Sequence, residues 1–207
     1  MNKNSWTGGE TLSYELSLDD LAIAVHQRTD GAFERLVDSF EKPLFNYAQR
    51  LLRNVQDAQE VVQDTFVRAH KALTHQYSAE KCQDLALRPW LFRIARNLSH
   101  NKRRGKRHEL EQQFPESESV RLDPKANPIS IICRIEQKQE LERLDEAISL
   151  LPEESRELLV LRFIEEMSYG EIAQTIGQGE AALRGKVFRA LRQLRSILDE
   201  KGVPYAM

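Results

Sequence analysis

The sequence predicts an all-α fold of two small helical domains joined by a flexible linker, with a helix-turn-helix in the C-terminal domain. Three observations carry this. Glycine and proline number 9 and 7 in 207 residues, and β-branched runs are scarce, so composition favours helices over sheets. Apolar residues recur at three- and four-residue spacing along most of the chain. Between two such stretches lies an acidic, proline-punctuated segment in which that spacing is lost.

Residues 1–16 are polar and unpatterned and read as a tail. Ser17 is placed to cap a helix carrying Asp20 at its third position, and Asp30 to cap the next. There Phe33, Leu36, Val37, Phe40, Leu44, Tyr47, Ala48 and Leu51 form one apolar stripe. Asn54 starts a further helix with Val55, Ala58, Val61, Val62, Thr65, Phe66 and Ala69 inward. The polar stretch from His75 to Asp84 reads as a loop. Pro89 then suits the first turn of a helix bearing Trp90, Leu91, Ile94, Ala95 and Leu98. The first domain is thus expected over 17–108, the linker over 109–135, the second domain over 136–200 and a tail over 201–207.

The linker places Glu109, Glu111, Glu116, Glu118 and Asp123 against Arg121, and Pro115, Pro124 and Pro128 interrupt it. Helical spacing resumes near Ile129 and runs through Leu141, Leu144, Ile148 and Leu151. Pro152 opens another helix with Leu158, Leu159, Leu161, Phe163 and Ile164.

Apolar content of 41% suffices for compact cores, and 30% charged residues suit exposed helix faces. Net charge is only −2, so the distribution of charge informs more than its sum. Cys82 and Cys133 lack the spacing of a disulfide framework or zinc site. The five histidines also lack ligand spacing, so no metal or cofactor is expected. No apolar stretch approaches the about 18 residues of a membrane span. The N-terminus lacks the pattern of a signal peptide. These features predict a cytoplasmic protein that does not insert into membranes.

Two segments point to nucleic acid. In the first, Ser168 and Glu171 form a capping box, and a short helix over Tyr169 to Ile176 ends at Gly177. Gly179 precedes a long helix whose inner stripe is Leu183, Val187, Ala190, Leu191 and Leu194. Arg184, Lys186, Arg189, Arg192 and Arg195 lie in this helix with no acid between them. Helix, glycine turn and longer helix is the helix-turn-helix plan, and a cationic helix of this kind fits the major groove. The alternative is an ordinary surface helix.

The second segment runs from Trp90 to Arg107. It combines Trp90, Phe92, Arg93, Arg96 and Asn97 with the cluster Lys102, Arg103, Arg104, Lys106 and Arg107. Rings that stack on bases beside cations that hold phosphates suit single-stranded or opened nucleic acid. Alternatively, Trp90 and Phe92 belong to the core and the cations cap a solvated helix end. Asp57, Gln59, Glu60, Gln63 and Asp64 make a separate acidic face, which composition alone assigns to solvent.

At these residues the chain resembles an extracytoplasmic-function sigma factor of bacterial RNA polymerase. The run Asp57 to Ala69 resembles the family's core-binding helix. Trp90-Leu91-Phe92-Arg93-Ile94-Ala95-Arg96-Asn97 resembles its promoter-melting and −10-reading helix. Leu150-Leu151-Pro152-Glu153, Arg156, Leu161-Arg162 and Ser168-Tyr169-Gly170-Glu171-Ile172-Ala173 resemble its −35-binding domain. The match extends from about Leu18 to Leu198, so the two domains correspond to sigma regions 2 and 4.

The resemblance implies a non-enzymatic specificity subunit that directs promoter recognition, melting and initiation, in a stress or envelope response. Its implied partners are core RNA polymerase, promoter DNA in duplex and melted form, and a separate anti-sigma factor. It assigns polymerase binding to Asp57, Glu60, Gln63 and Asp64. The −10 element falls to Trp90, Arg93, Arg96, Asn97, Lys102 and Arg103. The −35 element falls to Arg162, Arg184, Phe188 and Arg189. Residues 74–88 correspond to the loop that captures a flipped −10 base.

Two departures stand out. Ala181-Ala182-Leu183 replaces the family's usual Gly-Thr-Val, and Gly185 stands where a serine is common. The recognition helix therefore lacks a hydroxyl for phosphate and one side chain that could meet a base.

Two rival classes are distinguishable. A free-standing regulator would bind DNA tightly without polymerase. An enzyme acting on nucleic acid would need clustered metal-binding acids or a phosphate-cradling glycine loop, and neither is visible.

Overall fold

The computed structural model describes residues 17–18, 20–112 and 144–200, all helix or helix-connecting turn with no strand among them. The expected 1–16 and 201–207 tails lie outside the described residues, as do most of the acidic linker and Cys133.

Helix α1 spans Leu21–His26 and α2 spans Ala32–Leu52. Ser17 Oγ donates to Asp20 at 2.8 Å. Asp20 occupies the N-cap of α1, rather than a position inside the helix as expected. Asp30 does not cap α2 either. Gly31 holds that position at φ 70°, a left-handed geometry that glycine adopts without a Cβ clash.

The α2 stripe buries Leu36, Phe40, Leu44, Tyr47, Ala48 and Leu51. Each large side chain so buried contributes roughly 1.5–3 kcal/mol. Helix α3 spans Val55–Lys71 and begins as expected, with the Asn54 side chain accepting from the Asp57 N–H at 2.9 Å. Its inner face is Ala58, Val61, Val62, Thr65, Phe66 and Ala69. The buried Thr65 hydroxyl is satisfied by Val61 O at 2.6 Å.

The stretch from His75 to Asp84 is not a plain loop. A π-helical turn extends α3 over Ala72–Gln76, and α4 covers Ala79–Gln83. Ser78 caps α4 by accepting from the Lys81 N–H. The buried Cys82 thiol anchors α4 and is pushed up in pKa, chiefly by desolvation. Helix α5 spans Leu87–Gln112, so the helix continues beyond the expected domain end at residue 108.

The C-terminal half opens on a helix over residues 144–150, here α6. Pro152 sits at the N-cap of α7, Glu153–Leu159. Arg156 reaches back and donates to Ser149 O and Leu151 O at 2.6 and 3.0 Å, which closes the α6 end against α7. A second π-helical turn, Val160–Ile164, leads to α8, Tyr169–Ile176, and then to α9, Glu180–Glu200.

The two halves share one apolar core. Leu91, Phe92, Ala95 and Leu98 of α5 belong to the same buried cluster as Leu158, Leu161, Met167 and Ile172. Helix α5 packs on α2 and α3 on one side and on α8 on the other. The all-helical fold of two small domains is as expected, and the two halves are in direct contact as well.

Candidate nucleic-acid interface

Three faces carry the residues singled out in the sequence. The first is the helix-turn-helix. Its capping box is present, with the Ser168 hydroxyl accepting from the Glu171 N–H at 3.2 Å. The Ser168 N–H donates to the Glu171 carboxylate at 2.8 Å. Gly177 ends α8 at φ 79°. Helix α9 buries Leu183, Val187 and Ala190. Leu191, expected on that stripe, is 39% exposed, because the stripe drifts around the longer helix.

The cations of α9 fall into two groups. Lys186 turns inward to Glu154 and Gln178 and ties α9 to α7, so it is not part of an open cationic face. Arg184, Phe188 and Arg189 lie on the outer surface, with Phe188 63% exposed.

Arg162 is brought to the same end of the site. Its Nη1 donates to Met167 O at 3.0 Å. Its guanidinium lies 5.3 Å from the Tyr169 ring centroid and 5.8 Å from that of Phe163. Arg184 stacks on the same Tyr169 ring at 4.8 Å. Tyr169 thus organises two arginines by cation–π contact, a role the residue spacing did not reveal.

The second face is α5. Phe92 is fully buried and meets Tyr47 edge-on at 5.4 Å between centroids, so the core alternative holds for this ring. Trp90 is half-buried, and its Nε1 donates to the Tyr77 hydroxyl at 3.2 Å. Lys81 sits 3.5 Å above the Tyr77 ring. Trp90, Tyr77 and Lys81 thereby join the start of α5 to the α4 segment. Asn97 is exposed.

Four cations of α5 are engaged: Arg93, Arg96, Lys102 and Arg103. Arg93 Nε donates to Gln174 O of α8 at 2.9 Å. Arg96 donates to both oxygens of Glu157, at 2.9 and 3.4 Å. Arg103 pairs with Glu153 at 2.6 Å. Lys102 instead bonds Glu60 and lies 3.4 Å from Asp57. The hydrogen bond from Lys102 to Glu60 is the main cause of its raised pKa.

The third face is α3. Glu60, Gln63 and Asp64 are exposed as expected, but Asp57 is 8% exposed. It sits in the first turn of α3, where its carboxylate favours the positive helix end. Beside these residues an open groove of about 500 Å³ runs between α2 and α3, lined by Glu41, Lys42, Phe45, Gln59, Val62 and Gln63. Spacing on α3 showed the polar face, but the groove depends on how α2 is laid beside it.

No group of His, Cys, Asp and Glu able to hold a metal ion occurs among the described residues. No described helix is long and apolar enough to cross a membrane.

A helical N-terminal half with a cationic long helix, packed on a capped helix-turn-helix, defines a helical nucleic-acid-binding protein. Comparison with known proteins narrows the class. Sigma-70 region 2 matches residues 36–109 and sigma-70 region 4 matches residues 141–194. The RNA polymerase sigma-H factor of Pseudomonas aeruginosa is 30% identical over 84% of this chain and 90% of its own length. A probable RNA polymerase sigma factor of Xanthomonas campestris is 28% identical over 82% of this chain, which spans 41% of that longer protein. The solved structure of CnrH in complex with the cytosolic domain of CnrY superposes with a TM-score of 0.62. It is 28% identical and covers 88% of this chain and 97% of CnrH.

The chain belongs to the extracytoplasmic-function group of RNA polymerase sigma factors. Members of this family are transcription regulators rather than enzymes.

Proposed function

We propose that this chain directs core RNA polymerase to a defined set of promoters through three separate contacts. The exposed α3 residues Glu60, Gln63 and Asp64, with the adjoining groove, form the polymerase dock. Asp57 supports that face from below by holding Lys102. The outer surface of α9, with Arg184, Phe188 and Arg189, meets the −35 duplex, and Arg162 reaches it beside Tyr169. Helix α5 and the α4 segment take the opened −10 strand, with Trp90, Arg93, Arg96, Asn97, Lys102 and Arg103 as its contacts and residues 74–88 around the captured base.

The observation that carries this reading is the capped α8, the Gly177 turn and the exposed arginines of α9, all within one helix-turn-helix. Each contact taken alone is weak. Linked on one chain, each raises the effective concentration of the others. The chain then acts in the cytoplasm beside the polymerase, in a stress or envelope response as the family resemblance implies. A separate anti-sigma factor would hold it inactive. The CnrH complex, in which a sigma-like chain is bound by another protein's cytosolic domain, supports that partner class.

Gel shifts on a promoter fragment, with and without core polymerase, test this reading. A stable, start-site-specific complex should need both proteins. Equally tight, specific binding by the chain alone would indicate a free-standing regulator instead.

A further inference from the structure

The fold gives Gly185 no reason to be glycine. Gly31 and Gly177 hold positive φ, whereas Gly185 lies in the body of α9 with ordinary helical backbone. Crowding does not exclude a side chain either. Beyond the helix's own backbone, a Cβ built there would meet one atom within 4 Å, Arg189 Nη1 at 3.6 Å, an ordinary van der Waals distance. Glycine inside a helix lowers its stability relative to alanine. The chain carries that loss where alanine would fit, so the reason lies outside the fold.

The position lies on the surface assigned above to duplex DNA. Gly185 is half-buried, beside the exposed Arg184, Phe188 and Arg189. The two arginines are held differently. Arg184 pairs with Glu180 at 3.4 Å and stacks on Tyr169. No hydrogen bond or ion pair to a described residue holds Arg189. Its side chain runs back one turn toward the helix N-terminus, as helix side chains do. There its guanidinium lies over the bare backbone of Gly185, with its fork of donors available.

We propose that Gly185 is a specificity-determining position of α9. Carrying no side chain, it lets the base edges of the duplex come against the helix backbone. It also lets Arg189 lie low enough to meet one guanine there through both arms of its fork, at O6 and N7. A methyl or hydroxymethyl group at this position holds the duplex off by its own thickness and lifts the guanidinium from the helix surface. Long side chains that grip phosphates absorb such a displacement, but a two-point fit to one base does not. The missing side chain is therefore exchanged for closer seating. This inference rests on the assignment of the outer α9 surface to the −35 duplex.

The test uses the full chain with core polymerase and a promoter fragment that the wild-type complex transcribes, its upstream segment randomised. Retained fragments are sequenced. Wild type should select guanine at one position, and Arg189→Ala should lose that preference. Gly185→Ala should weaken the same preference about tenfold and leave the others near wild type. Its melting temperature should meanwhile rise by a few degrees. A merely structural role would move stability and recognition together. Gly185→Ala with the wild-type guanine preference, or with an even loss at every position, would overturn the proposal.

A second measurement changes the DNA instead. Replacing the selected guanine by 7-deazaguanine, which lacks the N7 acceptor, should cost wild type about tenfold in retention and Gly185→Ala less than about twofold. Equal losses would sink the idea. The two readings stay distinguishable. If Arg189→Ala loses the guanine and Gly185→Ala keeps it, the inference fails and the α9 assignment stands. If Arg189→Ala keeps every wild-type preference, both fail.

Discussion

The hydroxyl of Tyr47 on α2 donates to Glu157 on α7 at 2.7 Å, and the two residues are 110 positions apart. Both are buried, at 0% and 2% exposure. The bond pins the N-terminal helices to α7, the short helix that follows Pro152 in the helix-turn-helix half. Burial and the Glu157 charge push the Tyr47 hydroxyl pKa well up, so it stays a donor. Burial alone would raise the Glu157 carboxyl. The bond from His100, the charge of Arg96 and the Tyr47 hydroxyl more than offset this, and its pKa is lowered.

Tyr47→Phe removes that bond and leaves a buried carboxylate one donor short. The expected loss is about 1–3 kcal/mol, read as a lower urea midpoint with unchanged helix content. Because the folded carboxyl lies below its ordinary value of 4.5, its contribution is full above that pH. It fades as pH falls through the depressed value. An acid melt should therefore show a smaller difference between Tyr47→Phe and wild type than one at neutral pH.

Glu165 has the opposite sign. Burial raises its carboxyl to about 7, with the charges of Arg88 and Arg50 only partly opposing. The folded chain favours the neutral form, so this stabilisation is full below the ordinary 4.5 and is lost as pH rises through about 7. Glu165→Gln should leave stability near wild type at acid pH. It should raise stability at pH 8 by on the order of 1–3 kcal/mol. Thermal melts across that range check the crossover.

On α3 the structure separates two kinds of acid. Gln63→Lys with Asp64→Lys should weaken retention by core polymerase at least about tenfold while leaving the melting temperature within a few degrees. Asp57→Lys should instead destabilise the fold, since it places a cation in a nearly buried site facing Lys102. Pull-downs paired with melts distinguish them. Equal retention of the exposed double variant would remove this face from the polymerase contact.

On α9, Arg189→Ala should weaken upstream-element recognition by about 1–3 kcal/mol. Tyr169→Leu should produce a comparable loss by releasing Arg162 and Arg184, and Tyr169→Phe should restore most of it because the ring remains. Competition between −35 variants in the polymerase-bound complex reads both. A Tyr169→Phe result as poor as Tyr169→Leu would point to the hydroxyl rather than the ring.

The parts of the fold governed by local rules were legible in the sequence. The α2 and α3 stripes, the Asn54 cap, the Ser168–Glu171 box and the Gly177 turn each depend on residues within a few positions. What escaped depends on distant partners or on competition between neighbours. Gly31 displaced Asp30 as the start of α2 because a left-handed turn was required there. Residues 75–84 fold as a π turn and α4 because Cys82 finds the core. Asp57 shares the period of the acidic face but is drawn in by Lys102. Arg93, Arg96 and Arg103 read as open cations, and no spacing could reveal that Glu153, Glu157 and the α8 backbone lie against them.

The most direct test of the central claim is initiation itself. Purified chain and core polymerase, mixed with a pool of genomic fragments, should yield transcripts whose 5′ ends cluster at specific starts and vanish when the chain is omitted. Transcripts no different with and without the chain, from any fragment in the pool, would contradict the assignment.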